Sequence, residues 1–373
     1  MIIKNAKVFR ENGLFEDGDV AISGELFADT SGTGEVLDAA GCYAIPGLVD
    51  IHFHGCIGYD FSDAIEGQLR ELTRFEAANG VTTICPATLT LPEEDLAAAC
   101  RRISGIKEPD GSAIVGIHLE GPFFSYNKRG AQNPDYLRLP DVEMVRRLQK
   151  EAGGLIKLIA VAPELEGGIE FIKALSGEMC CSVAHTEACY EVAMDAYRHG
   201  ARQATHLYNG MPPFHHRDPG VIGAALDSPS CRIEIICDGV HVHPSAVRAT
   251  FKMFGDDRII LISDSMMATG LAKGTYELGG LAVEVRGGAA YLVEGGSLAG
   301  SINTLIGCVR IAVTKMDIPL ASAIKCASVN PAKAIGIYDK HGSIEPGKYA
   351  DLVLLGEDLS IRQVFLKGKR LVQ

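Results

Sequence analysis

The chain reads as a TIM-like (β/α)8 barrel, residues 46–343, with a small β-sandwich built from both chain ends, residues 1–45 plus 344–373. Three observations predict this. Eight short, β-branched apolar runs follow one another: Leu48–Phe53, Thr82–Pro86, Ile114–Leu119, Ile156–Val161, Ser182–Ala184, Gln203–Thr205, Ile233–Cys237 and Ile259–Ser263. Eight is the number that closes a barrel. Helix-like stretches separate the runs, and near-continuous apolar strands alternating with helices are the mark of buried parallel strands. The two ends carry strand and turn signals without a helix.

The first 45 residues hold strand-like runs at Met1–Phe9, Asp19–Ile22 and Val36–Asp38, with turns at Asn12-Gly13 and Ser31-Gly32-Thr33-Gly34. From Gly347 onward, Ala350–Leu355 and Gln363–Leu366 repeat that style around Gly356 and Gly368. Ends this short predict one small sheet system made by mutual pairing. Within the barrel, apolar residues at helical spacing predict helices over Glu66–Asn79, Leu91–Ile103, Asp141–Glu151, Ala188–His199 and Ser245–Phe254, several ending at a glycine such as Gly80 or Gly200. Thr275–Val293 reads as extra strands with a turn at Arg286-Gly287-Gly288, an excursion from the barrel. Helices at Ile302–Lys315 and Leu320–Cys326 follow, and Pro331 opens another short one. A doubly wound open sheet is the alternative, but no Gly-x-Gly-x-x-Gly turn follows a first strand.

Composition narrows the function. With 373 residues the chain can bury a full core, and 42 glycines supply many tight strand-to-helix turns. A net charge of −12 argues against a general electrostatic grip on nucleic acid or acidic lipid, so an anionic ligand needs a local site. The N-terminal residues lack the apolar stretch of a secretion signal, and no long apolar run suits a membrane span. A cytoplasmic protein is expected. Eleven scattered cysteines without a Cys-x-x-Cys pair read as reduced core thiols.

Barrel chemistry sits where strands end, so the residues that terminate each run carry the functional information. Run one ends in His52-Phe53-His54, run three in His118-Leu119-Glu120, run five in Ala184-His185, run six in Thr205-His206, run seven in Cys237-Asp238 with His241 beyond, and run eight in Ser263-Asp264. His52 and His54 share one side of an extended strand and can grip one ion together. Imidazoles and carboxylates without a thiolate suit zinc, with iron, manganese or cobalt open. Such a set is large enough for two ions, and an ion that lowers the pKa of its water to ~7 performs hydrolysis at a carbonyl or similar centre.

The constellation resembles the amidohydrolase superfamily, and within it the N-acetylglucosamine-6-phosphate deacetylase family. The resemblance runs along the chain through Pro46–Gly55, His118–Phe123, Ala184–Thr186, Thr205–Met211, Arg217–Gly220, Asp238–Val242, Ser263-Asp264, Leu298–Ser301 and Asn330–Ala332. It implies a metal-dependent hydrolase barrel in which Glu120, His185 and His206 are metal ligands, His52 and His54 hold a second metal that some members lack, and Asp264 is a ligand and the catalytic acid/base. Substrate contacts implied by the resemblance are Ala131, Gln132, Asn209, Gly210, Arg217, His241, Leu298, Ala299 and Gly300. Arg217 in this family can come from a neighbouring subunit, which implies a homodimer. The implied reaction releases acetate from N-acetylglucosamine 6-phosphate. Two departures stand out: Gln132 where some relatives have a histidine, and Ser263-Asp264-Ser265 in place of Thr-Asp-Ala.

Other readings stay open at this point. The same chemistry on N-acetylgalactosamine 6-phosphate differs by one hydroxyl epimer. A non-catalytic binding barrel would have lost its ligands, and cyclic-amide hydrolysis or nucleobase deamination needs only the barrel. His118 is either a core histidine or a partner of a ligand. His215, His216 and His243 are expected at the rim or in solvent, Cys56 in the core, and Asp238 as an acceptor of backbone N–H bonds in its loop.

Overall fold

Parallel pairing dominates the middle of the chain. The computed structural model describes residues 1–29, 34–107 and 110–371, so the expected turn at Ser31–Gly34 and the last residues of the C-terminal segment fall outside the description, the turn in large part. Eight strand positions run β1 (Leu48–Asp50), β2 (Val81–Ile84), β3 (Ala113–Ile114 and Ile117–Glu120), β4 (Ile156–Val161), β5 (Cys180–Val183), β6 (Gln203–Ala204), β7 (Arg232–Ile236) and β8 (Ile259–Ile262). Each pairs in parallel with the next along two ladders, and an isolated parallel bridge between Ala87 and His118 joins the ladders. The sheet curls until β8 meets β1. There the Asp264 N–H donates to His52 O at 2.9 Å, and the buried Asp50 carboxylate accepts Ser263 Oγ–H at 2.6 Å. The result is a TIM-barrel-like fold.

The strands are apolar on both faces because both faces are covered. Val49, Ile51, Cys85, Leu158, Ile236, Ile260 and Ile262 fill the interior, and Ala332 and Ile335 plug its lower end. Asn330 holds that plug in place, its Nδ2 donating to the carbonyls of Asp256 and Ile259 at 2.6 Å each. The outer layer includes α1 (Glu66–Ala78), α2 (Glu93–Gly105), α3 (Val142–Glu151), α4 (Gly168–Leu175), α5 (Tyr190–Arg198), α6 (Gly220–Asp227), α7 (Pro244–Phe254) and α8 (Leu305–Met316). Asp141 caps α3 and His243 caps α7 through side-chain acceptors. Periodicity predicts neither α4 nor α6. Each has eight residues, and the glycines at 168, 220 and 223 weaken the helical signal. Packing supplies the stability there, since a short helix in isolation is marginal.

Strands from the two chain ends do pair. Leu352–Leu355 runs antiparallel to Tyr43–Pro46, which in turn lies parallel to Ile2–Phe9, within one eight-stranded sheet that continues to Phe15–Ser23 and Leu26–Ala28. The pairing of Ile2–Phe9 with Phe15–Ser23 shifts register between Ile3 and Ala6, where Asn5 has φ +62° and its N–H donates to Asp19. Ile3, Val8, Val20, Ala44, Leu352 and Phe365 form a core cluster of their own. The excursion after β8 is a three-stranded antiparallel sheet, Thr275–Leu278, Leu281–Arg286 and Ala289–Leu292, as its turn residues predict. No helix among the described residues is long and apolar enough to cross a membrane.

Candidate metal centre and active site

The polar residues that terminate the strands converge at one end of the barrel, around Glu120. His185 Nε2 stands 3.3 Å and His206 Nε2 3.2 Å from Glu120 Oε1, and the two Nε2 atoms are 3.1 Å from each other. On the other side His52 Nε2 lies 3.2 Å from Glu120 Oε1, and His54 Nε2 lies 3.3 Å from Glu120 Oε2. Asp264 Oδ1 closes the group at 3.7 Å from His52 Nε2 and 3.5 Å from His54 Nε2. Glu120 is therefore shared by both halves.

Hydrogen bonds behind the rings decide which nitrogen faces the centre. His185 Nδ1 meets Lys128 O at 2.7 Å and His206 Nδ1 meets Asn209 O at 3.1 Å. A carbonyl only accepts, so each Nδ1 carries the hydrogen and, in the neutral imidazole, each Nε2 presents a lone pair. Two lone pairs 3.1 Å apart beside a carboxylate repel one another unless a cation lies between them. His52 is held in the same sense from Nδ1, which donates to Glu234 Oε2 at 2.8 Å. Among the described residues the buried His52 Nε2 has no hydrogen-bond partner, nor has His54 Nδ1. This donor set fits divalent cations: imidazole nitrogens with ordered outer partners, a shared carboxylate and a second carboxylate at the rim.

Electrostatics point the same way. Burial alone would push the Glu120 carboxyl up, but the His52 charge and the close rings of His185, His206 and His52 hold it well below its ordinary value. Burial opposes charge on His54 as well, yet hydrogen bonds to Asp264 and Glu120 raise it to about 10. His52 is likewise drawn well above the imidazole range by Glu234 and Glu120 against its burial. The pocket thus demands positive charge, from protons or from metal.

Local backbone strain accompanies these positions. His185 (φ +44°), His206 (φ +28°), Tyr208 (φ +79°) and Asp264 (φ +48°) all lie in the left-handed region. Such conformations cost of order 1–3 kcal/mol each and persist where the surroundings over-determine them. Gly210 (φ +61°) must be glycine, because a Cβ there would come within 2.9 Å of His185 Nδ1.

A cavity of about 570 Å³ opens over the centre. His54, Glu120, His185, His206 and Asp264 form its floor, and Ala131, Gln132, Asn209, Gly210, His241, Leu298 and Gly300 stand around it. Three of the expected residues do not line it. Arg217 does not line this cavity: it is exposed, and its Nη1 contacts His216 Nε2 at 2.7 Å. Ala299 is fully buried beneath the wall, packed with Met266, Leu278 and Val283. His52 is buried behind the floor. Gln132 is engaged, donating from Nε2 to Glu120 Oε2 at 2.6 Å while its Oε1 accepts the Thr90 N–H at 2.7 Å.

His241 donates from Nδ1 to Asp238 Oδ2 at 2.7 Å, and Asp238 Oδ1 accepts the Val240 and His241 N–H groups, as expected for a loop-orienting carboxylate. Burial disfavours its charge, but Asp238 raises the His241 pKa above the imidazole value. His118 is fully buried with both ring nitrogens unpartnered, its ring 4.6 Å from that of His52. Cys56 is a buried thiol pushed upward by desolvation, as a core residue should be. His215, His216 and His243 are exposed.

Sequence reasoning misses Glu234, which lies mid-strand in an apolar run, and Lys128, whose functional atom is a backbone carbonyl. It also misses Lys128 and Arg129 as cations on the cavity wall. Adjacent basic residues in the long connection between Glu120 and Val142 carry no spacing signal of their own.

Residues 43–371 match the Amidohydrolase family. The chain is 37% identical to N-acetylglucosamine-6-phosphate deacetylase of Bacillus subtilis over 99% of this chain and 96% of that one. It is 32% identical to N-acetylgalactosamine-6-phosphate deacetylase of Escherichia coli O157:H7 over 99% and 98%. A mutant of N-acetyl-D-glucosamine-6-phosphate deacetylase from Mycobacterium smegmatis, solved with N-acetyl-D-glucosamine-6-phosphate, superposes with a TM-score of 0.94 at 31% identity, covering 100% of this chain and 99% of that one. Matched to that family over residues 43–371 and to deacetylases along nearly its full length, the chain belongs to the amidohydrolase family.

Proposed function

We propose that the protein hydrolyses N-acetyl-D-glucosamine 6-phosphate to D-glucosamine 6-phosphate and acetate at a centre of two divalent cations. The convergence of four imidazoles and Asp264 on Glu120, with lone pairs facing one another beneath an open cavity, is the observation that carries the reading. Glu120, His185 and His206 would hold one cation and His52, His54 and Asp264 the other, with Glu120 shared. Zinc suits this donor set, and iron, manganese or cobalt would also fit. Cations bound there acidify water and polarise a carbonyl oxygen.

The chain's own groups do the rest. Asp264 accepts the proton of the attacking water and returns it to the amide nitrogen, which leaves poorly until protonated. Its carboxyl suits the first step, because hydrogen bonding from His54 and the charges of His52 and His54 hold it below its usual value against the effect of burial. His241, kept basic by Asp238, presents its free Nε2 side to a substrate hydroxyl or the acetamide oxygen. Gln132 orients Glu120 and stands by the same oxygen. Asn209 and the Gly210 amide offer neutral donors to the phosphate, while Ala131, Leu298, Ala299 and Gly300 shape the wall. Arg217, exposed on its own subunit, would reach the phosphate in the cavity of a second copy, so the working form is a homodimer.

N-acetylgalactosamine 6-phosphate is a second reading, favoured by the 32% identity to a deacetylase of that epimer. We also infer that residues 1–45 and 344–373 form a sandwich-like domain beside a barrel of 46–343, a reading supported by their separate core cluster. The cytoplasm is the inferred location, in keeping with eleven free cysteines. The test is acetate release from both epimers and from unphosphorylated N-acetylglucosamine, using metal-analysed wild type, Asp264→Asn and Arg217→Ala. Fast release from the glucosamine phosphate, lost in Asp264→Asn and with raised KM in Arg217→Ala, is expected. Metal-loaded protein that releases no acetate from any of them overturns the reading.

A further inference from the structure

Inside the barrel, below the cavity floor, a carboxylate is buried without a basic side chain to neutralise it. Glu234 sits on β7 in the run Ile233-Glu234-Ile235-Ile236, is wholly inaccessible, and among the described residues has no Lys or Arg in ion-pair range. Three donors converge on it instead: His52 Nδ1 at 2.8 Å and the His206 N–H at 3.2 Å, both to Oε2, and Gln203 Nε2 to Oε1. Burying a carboxylate in an apolar barrel is unfavourable, and an apolar residue would fill the position more stably.

Among the described residues, Glu234 is the sole hydrogen-bond partner of His52 Nδ1. The other close neighbour, His118, packs its ring against His52 with both nitrogens unpartnered and offers no alternative anchor. A neutral imidazole, the form that binds a cation, presents Nε2 as a lone pair when it donates from Nδ1, and here Nε2 faces Glu120 at 3.2 Å. Without that acceptor the ring is free to turn or to carry its hydrogen on Nε2, where it could not bind a cation.

Resting on the two-cation reading above, we propose that Glu234 is a positioning residue that fixes the tautomer and orientation of His52 and thereby sets retention of the cation at His52 and His54. The carboxylate acts as an acceptor. Glutamine can replace it in that capacity, because Gln203 Oε1, which has no partner, can turn to receive the new amide hydrogens.

The experiment titrates metal-free wild type, Glu234→Met and Glu234→Gln with cobalt(II), reading bound metal per chain by equilibrium dialysis and the cobalt absorption bands. Wild type should take two ions. Glu234→Met should bind the second about 10–100-fold more weakly, and Glu234→Gln should recover most of that loss. The imidazole nitrogen spectrum of zinc-loaded wild type, with the His52 signals assigned by their absence in His52→Gln, should show hydrogen on Nδ1 and metal on Nε2; this decides the matter even if Glu234→Met does not fold. The reverse tautomer, an unchanged second ion in Glu234→Met, or Glu234→Gln as weak as Glu234→Met overturns the inference while leaving the two-cation reading intact. A wild type that takes a single ion overturns both.

Discussion

The two halves of the centre are built differently. His185 and His206 are anchored by backbone carbonyls, those of Lys128 and Asn209, on strained turns that the barrel imposes. His52 is anchored by a side chain, Glu234, and His54 Nδ1 has no partner. The first half inherits its geometry from the fold. The second depends on a few side-chain choices, so it can be weakened or lost without disturbing the barrel. Glu120 and Asp264 join the halves: Glu120 faces the Nε2 atoms of all four histidines, and Asp264 Oδ1 lies within 3.7 Å of His52 and His54 at the mouth.

Changes at the shared residue should erase the difference altogether. Glu120→Ala removes the carboxylate whose oxygens face all four imidazole Nε2 atoms, and elemental analysis should find almost no metal at either half, with acetate release falling to background. Asp264→Asn should lower kcat by about 10²–10⁴-fold; metal analysis of the same sample should find the His185–His206 half still loaded. His52→Ala should separate the halves most cleanly, weakening one cation by at least about tenfold in a cobalt titration while the other binds as in wild type. Equal loss of both ions would mean that the halves are one cooperative site.

A pH series should sharpen the contrast in a graded way. In the metal-free protein His54 is raised to about 10 and His52 also lies above the imidazole range, so at neutral pH protons occupy that half. The second cation must displace them, and its affinity should rise with pH, with measurable proton release on binding. The sign for stability follows. Groups raised on folding contribute stability that is complete below their unfolded value near 6.5 and is lost as pH climbs toward about 10. Metal-free protein should therefore melt at lower temperature between those limits as pH rises, whereas metal-loaded protein should not; a flat melting profile for the metal-free form would contradict the charge assignment. Asp50, raised from 3.8 to about 7 mainly by burial, adds a fall of the same sign in the window below, between those two values.

Much of this was legible before any coordinates. The eight apolar runs coincide with the eight strands to within three residues at either end, because a buried parallel strand writes its environment directly into a run of β-branched residues. The strand-end histidines and carboxylates were legible for a related reason: a barrel delivers the carboxyl ends of its strands to one mouth, so position along each run stands in for position in space. What escaped is what crosses the barrel. Glu234 reads as an isolated polar interruption, and only closure of the sheet brings it beneath His52, 182 residues away. The Lys128 and Asn209 carbonyls carry no side-chain signal at all. The short helices α4 and α6 escaped because tertiary packing, not propensity, stabilises them.

Arg217 illustrates the other boundary. Its motif resembles one that implies a substrate contact, yet in the single chain it lies outside the cavity lining and contacts His216. Local chemistry, periodicity and strand order are properties of neighbouring residues, and sequence by itself determined them: the barrel, the ligand types and Asp264. Which lone pairs face one another, which carboxylate is shared and which histidine is held by side chain and not by backbone were decided by the tertiary structure alone. Those are distances of about 3 Å between residues tens to hundreds of positions apart, and only closure of the barrel sets them.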